Sequence, residues 1–137
     1  MARIIAAVLL AATLAETSAL PARAEGCPAQ AAAMQQLELF FGTAIKGHAT
    51  VAPRAWSQFL AEEVTPRFPD GLTIFDAHGQ WRGANGRIVQ ETAHVLVVLY
   101  RPDDTSEAKI EAIRNAYEKR FHQDSVMRVE SPACVSF

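Results

Sequence analysis

Nowhere does the sequence hold the roughly 20 apolar residues that a helix needs to span a bilayer. Its longest such run, Ile4 to Ala15, has 12 residues. Membrane insertion of a mature protein is therefore not expected. A basic block is also missing, with 13 Lys and Arg against 15 Asp and Glu. That speaks against nucleic acid or an anionic membrane as partner. There is no Gly-x-Ser-x-Gly, phosphate loop, metal helix or dinucleotide fingerprint, so no cofactor is expected. Two cysteines without Cys-x-x-Cys or paired-histidine spacing give no metal site.

What the sequence does have begins at its start. Arg3 precedes the short apolar run, and Ala22-Arg23-Ala24 follows it. A charged start, a 7–15-residue apolar centre and an Ala-x-Ala site make a secretory signal peptide, residues 1–24. Export to a periplasmic or extracellular space is the expectation. Removing Arg3, Arg23 and Glu16 with the signal leaves 11 basic and 14 acidic side chains, a net charge of −3. Residues 25–137 then form one domain, large enough to bury roughly 65% of its unfolded surface.

Cys27 and Cys134 sit at the two ends of that domain. In an oxidising compartment they are expected to form a disulfide. Lipidation of Cys27 is the competing reading. Glu25 fits a lipoprotein signal poorly, and the Ala-x-Ala site offers another cut.

Hydrophobic spacing gives the elements. Gln36–Gly42 alternates as a strand, with Leu37, Leu39 and Phe41 on one face. Thr43–Ala52 reads as a loop. Pro53 suits the first turn of a helix, and Trp56, Phe59, Leu60 and Val64 follow on one face. Pro66 and Pro69 end it. Leu72–Ala77 is a second strand, with His78-Gly79 a turn and Gly83, Asn85 and Gly86 a looser reversal. Ala93–Tyr100 is a third strand, apolar on both faces and so expected to be central. Asp104 and Glu107 resemble a capping box. Ile110, Ile113, Tyr117 and Phe121 give a second helix stripe. Ser125–Val129 is a fourth strand, which Ala133–Phe137 resumes after Pro132 at an edge.

The order β-α-β-β-α-β predicts a ferredoxin-like α+β sandwich, with an antiparallel sheet in the order 4-1-3-2 and both helices on one face. Such an order brings Cys27 and Cys134 together. The helices are expected to cover Val95, Val97 and Leu99. Phe40, Leu96, Val98 and Tyr100 are then expected on an open face, covered by a second copy or forming a ligand pocket edged by His94 and Tyr100.

The run Val64-Thr65-Pro66-Arg67-Phe68-Pro69-Asp70-Gly71-Leu72-Thr73 resembles a bacterial family of exported proteins catalogued as a domain of unknown function. So do Gly79-Gln80-Trp81-Arg82 and the ending Ser131-Pro132-Ala133-Cys134-Val135-Ser136-Phe137. Thr-Pro-Arg-Phe-Pro-x-Gly-Leu-Thr is a specific pattern, and the resemblance spans the mature chain. It implies a small secreted domain and brings no catalytic residues.

Candidate site residues follow from side-chain chemistry. Arg67, beside Asp70 in a proline-fixed loop, suits a carboxylate or phosphate; its structural reading is an ion pair with Glu63 or Asp70 near the helix end. Asp76 orienting His78 is a possible acid–base pair, against exposed turn residues as the plain reading. Trp81 is either a stacking platform or core. The reading favoured is an exported binding or interaction domain that dimerises through its sheet and takes a possible small ligand. The alternative is a cofactor-free isomerase or hydrolase using His94 or His78 with Arg67.

Overall fold

The computed structural model describes residues 26–45 and 49–137. The expected signal peptide lies outside them. The elements are β1 (Ala32–Gly42), β2 (Ala44–Ile45), β3 (Ala49–Thr50), α1 (Pro53–Phe59), a π-helical turn (Leu60–Val64), β4 (Thr73–Arg82), β5 (Ile88–Tyr100), α2 (Ser106–Phe121) and β6 (Met127–Val135).

The four long strands form one antiparallel sheet, ordered β4-β5-β1-β6. The fold is α+β, with two helices on one face of that sheet. One departure from plain β-α-β-β-α-β is the ribbon of β2 and β3, inside the segment expected to be a loop. Backbone bonds hold it: Thr43 N–H donates to Thr92 C=O and Val51 N–H to Thr43 C=O.

The helix-facing core is aromatic and aliphatic. Leu37, Leu39 and Phe41 of β1 meet Trp56, Phe59 and Val64 from the first helix, and Ile110, Ile113, Tyr117 and Phe121 from α2. Phe41 packs edge-on to Tyr117, with ring centres 4.6 Å apart. The α1 start matches the proline at its first turn. It widens at its end, where Thr65 N–H reaches Leu60 C=O. The N-terminal device of α2 is Asp103 rather than Asp104: Thr105 N–H donates to the Asp103 carboxylate at 2.8 Å.

Three expectations need correction. The helices cover Leu96 and Val98, which are opposite Leu39 and Leu37 across the β1–β5 ladder. His94 and Tyr100 share that helix-facing side. The open face carries Phe40, as expected, but with Val95, Val97 and Leu99 from β5. A run of five apolar residues has no alternation of its own, so only pairing sets its facing. Second, His78-Gly79 is not a turn: both residues continue β4, opposite Thr92 and Glu91. The reversal lies at Gly83–Arg87, where Gly83 N–H donates to Arg87 C=O and Gly86 takes a left-handed φ of 78°. Third, β6 runs unbroken through Pro132, tolerated because β6 is an edge strand.

Cys27 and Cys134 are disulfide-bonded, with Cα atoms 5.4 Å apart. Cys134 lies opposite Ala33 at the start of β1, a few residues beyond Cys27. No helix among the described residues is long and apolar enough to cross a membrane.

Candidate functional site

The sheet distributes the candidate residues over three places. Arg67, Asp70 and Tyr100 line one cleft of about 280 Å³, together with Phe68 and Arg101. Arg67 is already engaged: its guanidinium donates to the Glu63 carbonyl at 2.6 Å and to the Glu63 carboxylate at 3.0 Å. It thus finishes the helix end, where a cation meets unpaired carbonyls. Tyr100 donates its hydroxyl to Glu130 at 2.6 Å. Burial, then that bond and the Glu130 charge, push its phenol up to about 12.

Trp81 lies elsewhere, near the far end of the β4–β5 hairpin, with 48% of its surface exposed. It shares the open side of the sheet with Phe40, Ala93 and Met127 around a shallow depression. It is not core. It lies on the face without helices, so no helix covers its indole.

His94 occupies the third place, on the helix side of β5. Asp76 is its direct cross-strand partner on β4. The His94 Nδ1 and Asp76 Oδ1 are 2.7 Å apart. The imidazole stacks on Trp56, 4.4 Å between ring centres and 14° between planes. These residues line a cleft of about 660 Å³ with Thr43, Thr92 and Ile74. Thr43 is buried and donates its hydroxyl to Thr92 C=O at 2.9 Å. His78 is not in this cleft; it borders a separate one with Gln80, Gln90 and Glu91. Asp76 therefore orients His94, not His78, and Arg67 joins neither histidine.

Chain distance hid the Asp76–His94 pair, which spans a hairpin. One signal could have exposed it. Counted outward from Asn85, at the Gly83–Arg87 reversal, Asp76 and His94 are each nine residues away. Treating that reversal as the hairpin tip, rather than His78-Gly79, sets the two side chains opposite each other. The Trp56 stack has no comparable signal, since it depends on where α1 crosses the sheet. Among the described residues no cluster of three His, Cys, Asp or Glu could hold a metal ion.

Comparison with known proteins adds a family and a shape. The chain belongs to the family described as protein of unknown function (DUF3574), matched over residues 36–137. No curated protein matches it in sequence. Among solved structures it is similar to a phage SAM lyase in complex with S-methyl-5'-thioadenosine. The TM-score is 0.58 at 12% identity, covering 84% of this chain and 96% of that one. The phage SAM lyase in its apo state gives a TM-score of 0.55 at 12% identity, over 77% and 90% of the two chains. At such identity the likeness is one of fold.

Proposed function

We propose that this chain is exported, loses residues 1–24, and acts as a ferredoxin-like interaction domain whose open sheet face is covered by a second copy. One observation carries the reading. Phe75, Val95, Phe40 and Met127 stand side by side across all four strands, on the face without helices. Phe75 and Met127, at its two ends, are 55% and 56% exposed, while Phe40 is half-buried and Val95 is covered by its neighbours at 8%. Val97, Leu99, Val129 and Trp81 enlarge the patch. A water-facing apolar area of this size marks an interaction surface.

A second copy suits the apolar centre of this face, and charge is sparse on it. Its charged side chains are Glu38, whose carboxylate accepts from Gln36 at 2.7 Å, and Glu91, which accepts from Ala44 N–H. Four strands about 4.8 Å apart and about ten residues long give a face of roughly 600 Å² in projection. That approaches the roughly 800 Å² per partner of a standard interface.

Export is supported by the Cys27–Cys134 bridge, which suits an oxidising compartment. It leaves no free thiol on Cys27 for a lipid. The enzyme alternative built on Arg67 with a histidine has less support, because Arg67 is spent on Glu63 and borders a different cleft from either histidine. Likeness to the SAM lyase does not decide between binding and catalysis.

The test is native mass spectrometry of protein recovered from the exported fraction of cells expressing the full chain. Two copies, each beginning at Glu25 with the disulfide intact, are expected. A monomer at every concentration, or a chain retaining residues 1–24, overturns the corresponding half of the proposal.

A further inference from the structure

We propose that Asp76, His94 and Trp56 build a binding site for a small uncharged organic molecule, whose O–H or N–H donates to His94 Nε2. The site is on the helix side of the sheet and so does not depend on how the open face is covered.

The argument starts with the imidazole's protons. An ionised Asp76 can only accept, so its partner Nδ1 carries the hydrogen. In the neutral imidazole this fixes one tautomer and leaves Nε2 as the acceptor. Among the described residues Nε2 has no hydrogen-bond partner. Yet none of their buried side-chain nitrogens or oxygens lacks one. Nε2 is therefore open to the cleft.

Three contacts hold the ring in place: the Asp76 carboxylate, the Trp56 face and its own strand. The side chain of His94 is only 19% exposed, while Asp76 is 86% exposed. Such an arrangement presents a fixed acceptor and a wet carboxylate behind it. A pinned acceptor binds a donor at lower entropic cost than a mobile one.

The cleft chemistry sets the ligand class. Val51, Pro53, Leu60 and Ile74 offer apolar walls, and Thr50 and Ser57 offer hydroxyls. No lysine or arginine is among the described residues lining it, and Asp76 supplies a negative charge. Among the described lining residues a phosphate or carboxylate would meet that charge and no cation. An uncharged ring or chain with one donor meets apolar wall and acceptor together.

Acylation of histidine by diethyl pyrocarbonate reads this nitrogen directly. The Nε2 lone pair forms the new N–C bond. The C–O bond to ethyl carbonate breaks with its electron pair, and the Nδ1 proton passes to water. Rates are followed peptide by peptide, with the exposed His78 and His122 as references in the same digest. Phenol is the probe and benzoate its anionic counterpart. Phenol should slow acylation of His94 saturably and leave both references unchanged, while benzoate at equal concentration should not. Asp76→Ala should raise the half-protecting phenol concentration about fivefold, the size of one hydrogen bond. Absent protection by phenol, equal protection by benzoate, or an unreactive His94 overturns the proposal. If Asp76→Ala does not fold, the phenol–benzoate contrast on the unchanged chain still decides.

Discussion

Replacing Phe75 with glutamate should give a folded monomer, whereas replacing Val98 with glutamate should unfold the chain. Phe75 keeps 55% of its surface in water in a single copy, on the order of 100 Å² for a phenylalanine. Covering it stabilises association by about 2.5 kcal/mol at roughly 25 cal/mol per Å². In a two-fold dimer the change is made in both copies, so about 5 kcal/mol is lost. Even half of that weakens the dimer about seventyfold. Val98 is 2% exposed and opposite Leu37 in the core. Its replacement forfeits about 1.5–3 kcal/mol of burial. The buried carboxyl must also neutralise, which at pH 7 costs about 4 kcal/mol from an ordinary glutamate pKa of about 4.3. That total rivals the whole stability of a domain, about 5–15 kcal/mol. Light scattering over a wide concentration range reads the mass, and circular dichroism reads the fold. The reasoning fails if Phe75→Glu keeps the parent's mass, or if Val98→Glu folds as well as the parent.

Breaking the Cys27–Cys134 bridge by Cys134→Ser opens a loop of 107 residues, and should lower stability by about 4–5 kcal/mol in the chain-entropy treatment; unchanged denaturant midpoints would contradict this. Glu38→Gln removes like charges that two copies bring together on the open face, so it should tighten association. A weaker dimer in the same light-scattering series would mean that Glu38 makes a favourable contact across the interface. Both tyrosines of the chain hold their protons above the ordinary range: Tyr100 to about 12 through burial and then Glu130, and Tyr117 through burial and then the Glu91 charge. An unfolded chain releases them near pH 10, so the stability the Tyr100 phenol contributes is whole below pH 10 and is lost as pH rises through about 12. Tyr100→Phe should flatten that loss, and tyrosinate absorbance should appear at higher pH in the native protein than in denaturant. Superimposed native and denatured titrations would refute it.

Local pattern was enough wherever one face of an element is polar. The stripe Ile110, Ile113, Tyr117 and Phe121 predicts the buried side of α2, and alternation along Leu37, Leu39 and Phe41 predicts that of β1. Pattern was not enough in β5, where Val95 to Leu99 is apolar throughout. The facing of that strand is a property of its pairing with β1, and the open-face residues changed identity with it. His78-Gly79 misled for a related reason. Glycine within a strand and glycine at a turn look alike in sequence, and only the ladder on both sides of Gly79 separates them. The Arg67–Glu63 pair was within reach because it is local, four residues along one helix end. The Asp76–His94–Trp56 group joins three elements, and its geometry exists only once the hairpin register and the course of α1 are both set.

One strand supplies both proposed surfaces. His94 and the core residues Leu96 and Val98 point toward the helices, while Val95, Val97 and Leu99 point to the open face. A one-residue slip of β5 would exchange the two sets, so its register protects both at once. Given that register, the surfaces are separated by the thickness of the sheet and should respond independently. The Phe75→Glu monomer therefore should keep phenol-sensitive acylation of His94, with the same half-protecting concentration as the parent. Phe75 is next to Asp76 in the chain but on the opposite face, so this variant is a strict test. If His94 protection vanishes as the dimer dissociates, a second copy completes the cleft, and the one-copy site argued from Asp76, His94 and Trp56 is wrong. If protection persists while mass falls to one copy, the two faces of the sheet carry separable functions.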